Sequence, residues 1–222
     1  MIVDLFTRTD GRLSFIISLP KSPKSKLKKQ YFQPLTLLEI TWDMRQKAQL
    51  QKLKEVRVIM PYGSIPFDPH KLTISLFLAE FLCYALRGEQ RYEALFDYTM
   101  NSLSWLDSCT DTFTNFHLVF LIRLSRFLGF YPNLEEYEDG DYFDLRQSCF
   151  CRDVPAHHDF LMPEDARRLL QMMRMDFPTM HLFHLSHFDR QRLLEVAITY
   201  YRLHLPDFPE MKSLAVLQAV YE

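Results

Sequence analysis

The hydrophobic pattern of the chain changes its period near residue 60. Before this point, short runs rich in β-branched and apolar residues predict four strands, at residues 2–6, 13–17, 35–40 and 56–60. After it, the spacing of apolar residues predicts six helices, at about 69–87, 91–107, 112–129, 163–175, 187–204 and 211–221. The chain is therefore expected to be an α+β protein, with a strand domain at residues 1–60 and a helical domain at residues 61–222.

Local signals support several of these elements. The run 9–12 (TDGR) predicts a tight hairpin between the first two strands, because Asp-Gly tolerates the positive φ angles that such a turn needs. Asp68 before Pro69 is typical of a helix start, and Ser186 with Asp189 resembles a capping box. Apolar runs near 142–152 predict a small β-hairpin inside the helical domain.

The net charge of −2 conceals a strong segregation of charge. Residues 1–60 contain 12 Lys and Arg against 5 Asp and Glu, whereas residues 61–222 contain 14 against 23. This asymmetry favours a basic module that binds a polyanion, joined to an acidic module with another role.

The densest cationic stretch is the basic segment, which we define as residues 21–29, with five lysines and no acid. Between two strands, it predicts contacts with nucleic-acid phosphates, although a merely solvated loop is the alternative. The candidate DNA-binding residues are Arg12, Lys21, Lys24, Lys26, Lys28, Lys29 and Arg57. The flanking rings of Phe15, Tyr31 and Phe32 are candidates either for stacking on unpaired bases or for core packing in a small barrel.

Several classes of protein are disfavoured by composition. Five glycines without a phosphate-binding pattern argue against a phosphate-loop enzyme, and four cysteines are too few for a disulfide scaffold. No nucleophile has a recognisable motif around it, so no catalytic residue is predicted. No targeting segment is visible, and Glu80, Arg123 and Arg126 interrupt the longest apolar stretches, which predicts a soluble cytoplasmic protein.

Short ordered motifs run along essentially the whole chain: Gly11-Arg12, then 31–39 (YFQPLTLLE), 53–56 (LKEV), 128–134 (LGFYPNL), 142–145 (YFDL) and 212–214 (KSL). In this order they resemble the RecO family of bacterial recombination mediators and DNA repair proteins. The detail is most similar to versions from Bacteroidetes-type bacteria.

The resemblance implies an N-terminal oligonucleotide-binding (OB-type) β-barrel followed by a helical domain. It also implies a non-enzymatic role in the cytoplasm, associated with the nucleoid. RecO-like proteins bind single- and double-stranded DNA and anneal complementary strands. With RecR, they help to load RecA onto DNA coated by single-stranded DNA-binding protein.

The sequence departs from the family pattern in two places. Family members usually begin with a further strand before the one that matches residues 2–7, so the barrel is expected to lack its first strand. Many members also carry a four-cysteine zinc site, whereas this region offers only Cys149 and Cys151. His157 and His158 are the alternative ligands, but we predict no metal and no cofactor.

The helix predicted at 112–129 is apolar nearly all round, so it is expected at the centre of the helical domain. Its Arg123 and Arg126 either pair with internal acids such as Glu80 or Asp97, or bind a partner. The resemblance implies a partner, namely the acidic, aromatic-ended tail of single-stranded DNA-binding protein. The candidate tail-binding residues are Phe116, Arg123, Arg126, Phe130 and Lys212.

Two other functions remain open from the sequence. One is a scaffolding adaptor whose incomplete barrel no longer binds DNA. The other is a metal-dependent nuclease, for which the sequence shows no ligand set, since the acidic stretch 135–144 lacks the regular spacing of oxygen ligands. Salt-dependent DNA binding separates the first possibility from the mediator role, and magnesium-dependent cleavage would support the second.

Overall fold

A computed structural model describes residues 1–18, 28–45, 48–88, 91–135 and 137–220 of the chain. It divides into two compact units, Met1–Ser108 and Cys109–Glu222. The first two helices therefore belong to the same unit as the N-terminal sheet. The change from strands to helices does fall after residue 60, and the domain boundary expected there stays a prediction.

Within the described residues, the sheet of the first unit contains four strands: β1 (Ile2–Thr7), β2 (Gly11–Ile16), β3 (Leu37–Asp43) and β4 (Gln51–Met60). Their order is β1-β2-β4-β3, with β2 and β4 parallel and the other two pairs antiparallel. Gly11 has a φ of +69°, which explains the glycine at the hairpin between β1 and β2. The four predicted strands and the α+β class are confirmed. Among the described strands, β1 and β3 are both edges, so these strands do not form a closed barrel.

Two helices complete the first unit, α1 (Pro69–Ala85) and α2 (Glu93–Ser108). As predicted, Asp68 caps α1, because its side chain accepts hydrogen bonds from the backbone N–H groups of His70 and Lys71. On the sheet, the fully buried ring of Phe15 packs edge-on against Trp42, with 5.9 Å between centroids. Phe77 and Phe81 of α1 are also fully buried, so the core of the unit contains side chains from both the sheet and the helices.

The described part of the second unit contains four α-helices: α3 (Phe116–Phe127), α4 (Pro163–Arg174), α5 (His187–His204) and α6 (Ser213–Val220). The predicted central position of α3 is confirmed, since nine of its residues are buried. The hydroxyl of Tyr201 on α5 donates a 2.8 Å hydrogen bond to the carbonyl of Leu121, which ties α5 to α3. The predicted capping box of Ser186 and Asp189 is also confirmed.

A small antiparallel sheet lies between α3 and α4 along the chain. Its strands are β5 (Tyr142–Asp144), β6 (Cys149–Cys151) and β7 (Phe160–Leu161), in the order β6-β5-β7. The predicted hairpin is β5 and β6, whereas β7 was not predicted because two residues show no periodicity. Within the described ranges, no helix has the length and apolar character required to cross a membrane.

Candidate nucleic-acid interface

The basic segment leads directly into a surface turn that carries both cations and rings. Lys21, Lys24 and Lys26 lie outside the described residues. Lys28 and Lys29 are exposed, and a 3-10 helix, Lys29–Phe32, begins at the second of them. Within the same turn, Tyr31 and Phe32 are half-buried. Two ammonium groups and two partly accessible rings are therefore brought together, which suits a phosphate backbone with unpaired bases.

The third ring proposed for base stacking has a different role. Phe15 is completely buried against Trp42, so it belongs to the core and has no face available for a base. This corrects the stacking alternative for Phe15 and supports the core alternative at that position. A ring at an inward position of β2 is removed from water by burial, and this stabilises the sheet.

Arg12 is engaged inside the first unit. Its side chain is only 20% exposed, with one guanidinium nitrogen donating to the carbonyl of Cys83 at 2.8 Å and another lying 3.1 Å from Asp4. The pKa of Asp4 lies below its ordinary value, chiefly because Ser14 donates a hydrogen bond to the carboxylate and also because Arg12 is close. The local geometry therefore favours a structural role for Arg12, and it does not extend the cationic surface of Lys28 and Lys29.

Arg57 is 72% exposed on β4 and forms a 2.7 Å ion pair with Glu39 on the neighbouring strand β3. A second exposed pair on the same two strands joins Lys54 to Asp43 at 2.6 Å. Exposed pairs of this kind contribute about 0–1 kcal/mol, so a phosphate can compete for the cation. Even so, each cation has an acid beside it, which weakens the attraction of this face for DNA.

Two exposed cations, Arg45 and Lys52, were not among the sequence candidates. The buried side-chain amide of Gln51 holds the backbone of Arg45: its oxygen accepts a 2.9 Å hydrogen bond from the N–H of Arg45, and its nitrogen donates a 3.1 Å hydrogen bond to the C=O of Arg45. Isolated cations give no local pattern, and only the excess of positive charge in residues 1–60 pointed to them.

The candidates in the second unit separate into core and surface. Phe116 is fully buried and stacks on Phe177, with 4.8 Å between ring centroids. The expectation that Phe116 contacts a partner is therefore wrong, because its ring is covered by other side chains of the protein. Phe130 is half-buried and stacks on His204 at 5.0 Å. Lys212 is exposed just before α6.

The two arginines of α3 differ in their environment. One guanidinium nitrogen of Arg123 donates to the carbonyl of Met175 at 3.0 Å, while its buried Nε has no hydrogen-bond partner among the described residues. Arg126 is exposed, and its guanidinium carbon lies 4.4 Å from the ring centroid of Tyr131. Asp97, one of the acids considered for them, instead pairs with Arg8 at 2.9 Å. Arg126 is therefore the α3 arginine that is accessible to a partner.

The cysteines of β6 do not fit a structural zinc site. Strand β6 supplies only two thiols, half of the four ligands that a structural zinc requires. Burial, followed by the charge of Asp144, raises the pKa of both Cys149 and Cys151. His157 is already engaged, because its Nε2 lies 3.1 Å from Asp144 and its Nδ1 accepts from the N–H of Asp159. Within the described part of the chain, no group of three or more His, Cys, Asp or Glu has the arrangement of a metal site.

Comparison with known proteins decides the family. The family model described as "Recombination protein O N terminal" matches residues 1–62, and "Recombination protein O C terminal" matches residues 66–214. The chain belongs to the RecO family. The DNA repair protein RecO of Phocaeicola vulgatus is 49% identical over 220 residues, which cover 99% of this chain and 91% of that protein.

Other RecO proteins align over the same extent. The DNA repair protein RecO of Bacteroides fragilis strain ATCC 25285 is 49% identical over 222 residues, and that of Flavobacterium psychrophilum is 35% identical over 223 residues. Each alignment covers 100% of this chain and 92% of the relative. The sequence resemblance is confirmed over the full length, and the family implies a role in DNA repair and recombination.

Proposed function

We propose that this chain is a recombination mediator that binds single- and double-stranded DNA through its first unit and anneals complementary strands. With RecR, it would help to load RecA onto DNA coated by single-stranded DNA-binding protein, in the cytoplasm and close to the nucleoid. The observation that carries this proposal is the match of both RecO family models along the chain. The adjacent Lys28, Lys29 and Tyr31 support DNA binding by the first unit.

The proposed role needs no catalytic group. Annealing requires that two polyanionic strands approach each other, so the protein must neutralise phosphates while it leaves the base edges free to pair. Lysines supply point charges to the backbone without reading its sequence, and Tyr31 offers a ring that is tolerant of any base. These properties predict DNA binding that depends weakly on sequence and strongly on salt.

An annealing assay tests this function. The purified full chain is expected to accelerate pairing of two complementary oligonucleotides at low salt by roughly tenfold or more, because neutralised strands no longer repel each other. Fluorescence quenching between labelled strands measures the rate, and a non-complementary strand provides the control. Absence of both binding and acceleration would favour the adaptor, and cleavage of either strand with magnesium would favour the nuclease.

The adaptor alternative rests on a specific observation: among the described strands, β1 and β3 each pair on one side only. Unpaired strand edges bind other polypeptides readily, so a protein-binding role for the first unit is physically reasonable. It is distinguished from the mediator by DNA affinity, since an adaptor of this type gains nothing from the lysines of the basic segment.

The second unit is proposed to bind the acidic tail of single-stranded DNA-binding protein through Arg126. Phe130 and Lys212, which stand in two separate motifs shared with the family, are the further candidates. Arg126→Ala is expected to weaken binding of a synthetic tail peptide by about tenfold or more, because one charge-assisted hydrogen bond contributes ~1.5–3 kcal/mol. DNA affinity of the same variant should be unchanged. The variant Arg126→Lys keeps the positive charge but removes the planar guanidinium group that lies against Tyr131, so it separates the effect of charge from the effect of stacking.

Arg167→Ala serves as the matched control, because Arg167 is an exposed arginine on α4 that is outside the candidate set. Tail affinity should be the same in this variant as in the unsubstituted chain. Equal losses for Arg126→Ala and Arg167→Ala would show that only the general charge matters. An unaltered affinity for Arg126→Ala would remove this arginine from the tail site.

A further inference from the structure

The turn at residues 33–36 has a backbone conformation that its sequence does not favour. The N–H and the hydroxyl of Thr36 both donate to the carbonyl of Gln33, at 3.2 and 2.9 Å, and these bonds close the turn. Leu35, the third residue of the turn, has a φ of +60°. Pro34 at the second position and a positive φ at the third are features of a type II turn, where the third residue is usually glycine or asparagine. A leucine disfavours this φ for steric reasons, so the turn requires an interaction that holds it.

Leu35 differs in chemistry from the other residues with this conformation. Within the described ranges, the other non-glycine residues with a positive φ are polar: Thr112, Ser148 and Asp207. Short polar side chains can form hydrogen bonds with nearby backbone groups, and these bonds make a positive φ less unfavourable. The side chain of Leu35 has no group of this kind, so its conformation depends on atoms elsewhere in the fold.

The hydroxyl of Tyr62 supplies that interaction. It donates a 2.8 Å hydrogen bond to the carbonyl of Leu35, which lies 27 positions earlier in the chain. The sheet brings the two residues together, because Leu37 at the start of β3 pairs with Met60 at the end of β4. Burial, followed by the charge of Asp107, raises the pKa of Tyr62 to about 12, so the hydroxyl keeps its proton at physiological pH.

The same turn connects a candidate for base stacking to the sheet. The 3-10 helix Lys29–Phe32 is followed by Gln33, the first residue of the turn, and β3 begins at Leu37, directly after the turn. Since β3 is fixed by its pairing with β4, the conformation at Leu35 determines where the 3-10 helix places the ring of Tyr31. A different backbone conformation at Leu35 would move that ring and leave the two strands paired.

We propose that Tyr62 is a positioning residue for single-stranded DNA, because its hydrogen bond to Leu35 holds the turn that presents the ring of Tyr31 to an unpaired base. This inference rests on the proposed binding of DNA by the first unit. Stacking on a ring requires unpaired bases, whereas lysines contact the phosphates of single strands and duplexes alike. Tyr62 therefore contributes to the binding of single strands and has little effect on the binding of duplexes.

The variant Tyr62→Phe removes the hydroxyl and keeps the ring. The affinity of the full chain for a labelled single-stranded oligonucleotide should fall about fivefold, which corresponds to ~1 kcal/mol, the typical net contribution of one hydrogen bond. The affinity for a duplex of the same sequence should change by less than about twofold, and both salt slopes should stay the same because the phosphate contacts remain. An equal loss for single strands and duplexes, or no loss for single strands, would overturn the proposal.

Tyr201→Phe is the matched control. The hydroxyl of Tyr201 also donates a 2.8 Å hydrogen bond to a main-chain carbonyl, that of Leu121, but this pair belongs to the second unit. The control variant loses the same type of bond and should bind both forms of DNA as the unsubstituted chain does. If it lost as much single-strand affinity as Tyr62→Phe, the effect would be a general one of stability and the proposal would be wrong.

The variant Leu35→Gly tests the conformational step, since glycine adopts a positive φ without a steric penalty. In this background the turn no longer depends on the hydroxyl, so the addition of Tyr62→Phe should reduce single-strand affinity by less than about twofold. The same loss in both backgrounds would show that Tyr62 does not act through the conformation of Leu35.

Hydrogen exchange at the N–H of Thr36, measured by NMR, reports on the turn in the absence of DNA. Exchange should be at least about fivefold faster in Tyr62→Phe than in the unsubstituted chain or in Tyr201→Phe. Unchanged exchange would overturn the inference and leave the proposed function intact if the unsubstituted chain binds DNA. Failure of the unsubstituted chain to bind DNA would instead contradict the proposed function, and the role of Tyr62 in DNA binding would fail with it.

Discussion

Replacing all five lysines of the basic segment with alanine is expected to remove most of the salt-sensitive DNA affinity. The logarithm of the binding constant falls with the logarithm of salt by about 0.9 per phosphate contact for duplex DNA and 0.7 for single strands. Five contacts therefore predict slopes that are shallower by roughly 4.5 and 3.5 in the variant. In the unsubstituted chain, these five contacts should account for a loss of affinity of about 10²–10³-fold between about 50 and 200 mM salt. The alanine variant should lack this part of the salt dependence.

The matched control for this variant keeps the charge. Replacement of the same five lysines with arginine should preserve both slopes, whereas a variant with only Lys28 and Lys29 changed to alanine should show about two fifths of the effect. Titrations of one labelled strand at several salt concentrations measure all three. If the slope of the alanine variant equals that of the unsubstituted chain, phosphates contact other cations, and Arg45 and Lys52 become the next candidates.

Local signals made much of the fold predictable. The strands and helices followed from periodicity, and the starts of α1 and α5 followed from Asp68 and Ser186, whose side chains act within three residues along the chain. Such capping depends only on neighbouring backbone groups, so a sequence contains all the information it needs. The apolar character of α3 likewise predicted its central position.

The candidate site was less predictable, because the exposure and the partners of each site residue depend on contacts with residues that are distant along the chain. Arg12 looks like a solvated cation until the fold brings the carbonyl of Cys83, 71 positions later, to 2.8 Å from it. Phe116 and Arg126 lie on one short helix, yet the first is buried on Phe177 and the second is exposed. Helical spacing indicates which residues share a face, but only the packed neighbours determine which face is covered.

The second large effect is expected at Asp107, near the end of α2. A carboxylate is unfavourable at the C-terminal end of a helix, where the backbone dipole is negative. Here it accepts hydrogen bonds from the backbone N–H groups of Gly63, Ser64 and Ile65, at 2.8, 2.8 and 2.9 Å. The carboxylate therefore connects the segment after β4 to the end of α2, and we call this contact the Asp107 junction.

The buried ammonium group of Lys71 is hydrogen-bonded to the Asp107 junction. Lys71 is only 2% exposed, and its Nζ donates to the hydroxyl of Ser64 at 2.6 Å and to the carbonyl of Asp107 at 3.3 Å. Burial by itself would raise the pKa of Asp107, but the hydrogen bonds from Ile65, Gly63 and Ser64 outweigh it and lower the pKa below the ordinary value. The folded first unit thus favours the charged carboxylate.

Asp107→Ala is expected to reduce the free energy of unfolding of the first unit by about 2–4 kcal/mol at neutral pH. The variant leaves three N–H donors without their acceptor, and hydrogen bonds to a charged group contribute ~1.5–3 kcal/mol each without being additive. Both tryptophans of the chain, Trp42 and Trp105, lie in this unit, so tryptophan fluorescence during urea denaturation follows its unfolding. Asp97→Ala is the matched control on α2, because the exposed pair of Asp97 with Arg8 contributes at most about 1 kcal/mol.

Acid should reduce the difference between the Asp107→Ala variant and the unsubstituted chain. Since the pKa of Asp107 is lower in the folded than in the unfolded chain, its stabilising contribution is complete above the unfolded value of about 3.9. That contribution is lost as the pH falls through the folded pKa, where the carboxylate becomes protonated. Urea midpoints should therefore differ most at pH 7 and converge below about pH 4. A difference that stays constant over this range would mean that Asp107 acts by packing alone, and a midpoint equal to that of Asp97→Ala at pH 7 would exclude the proposed junction.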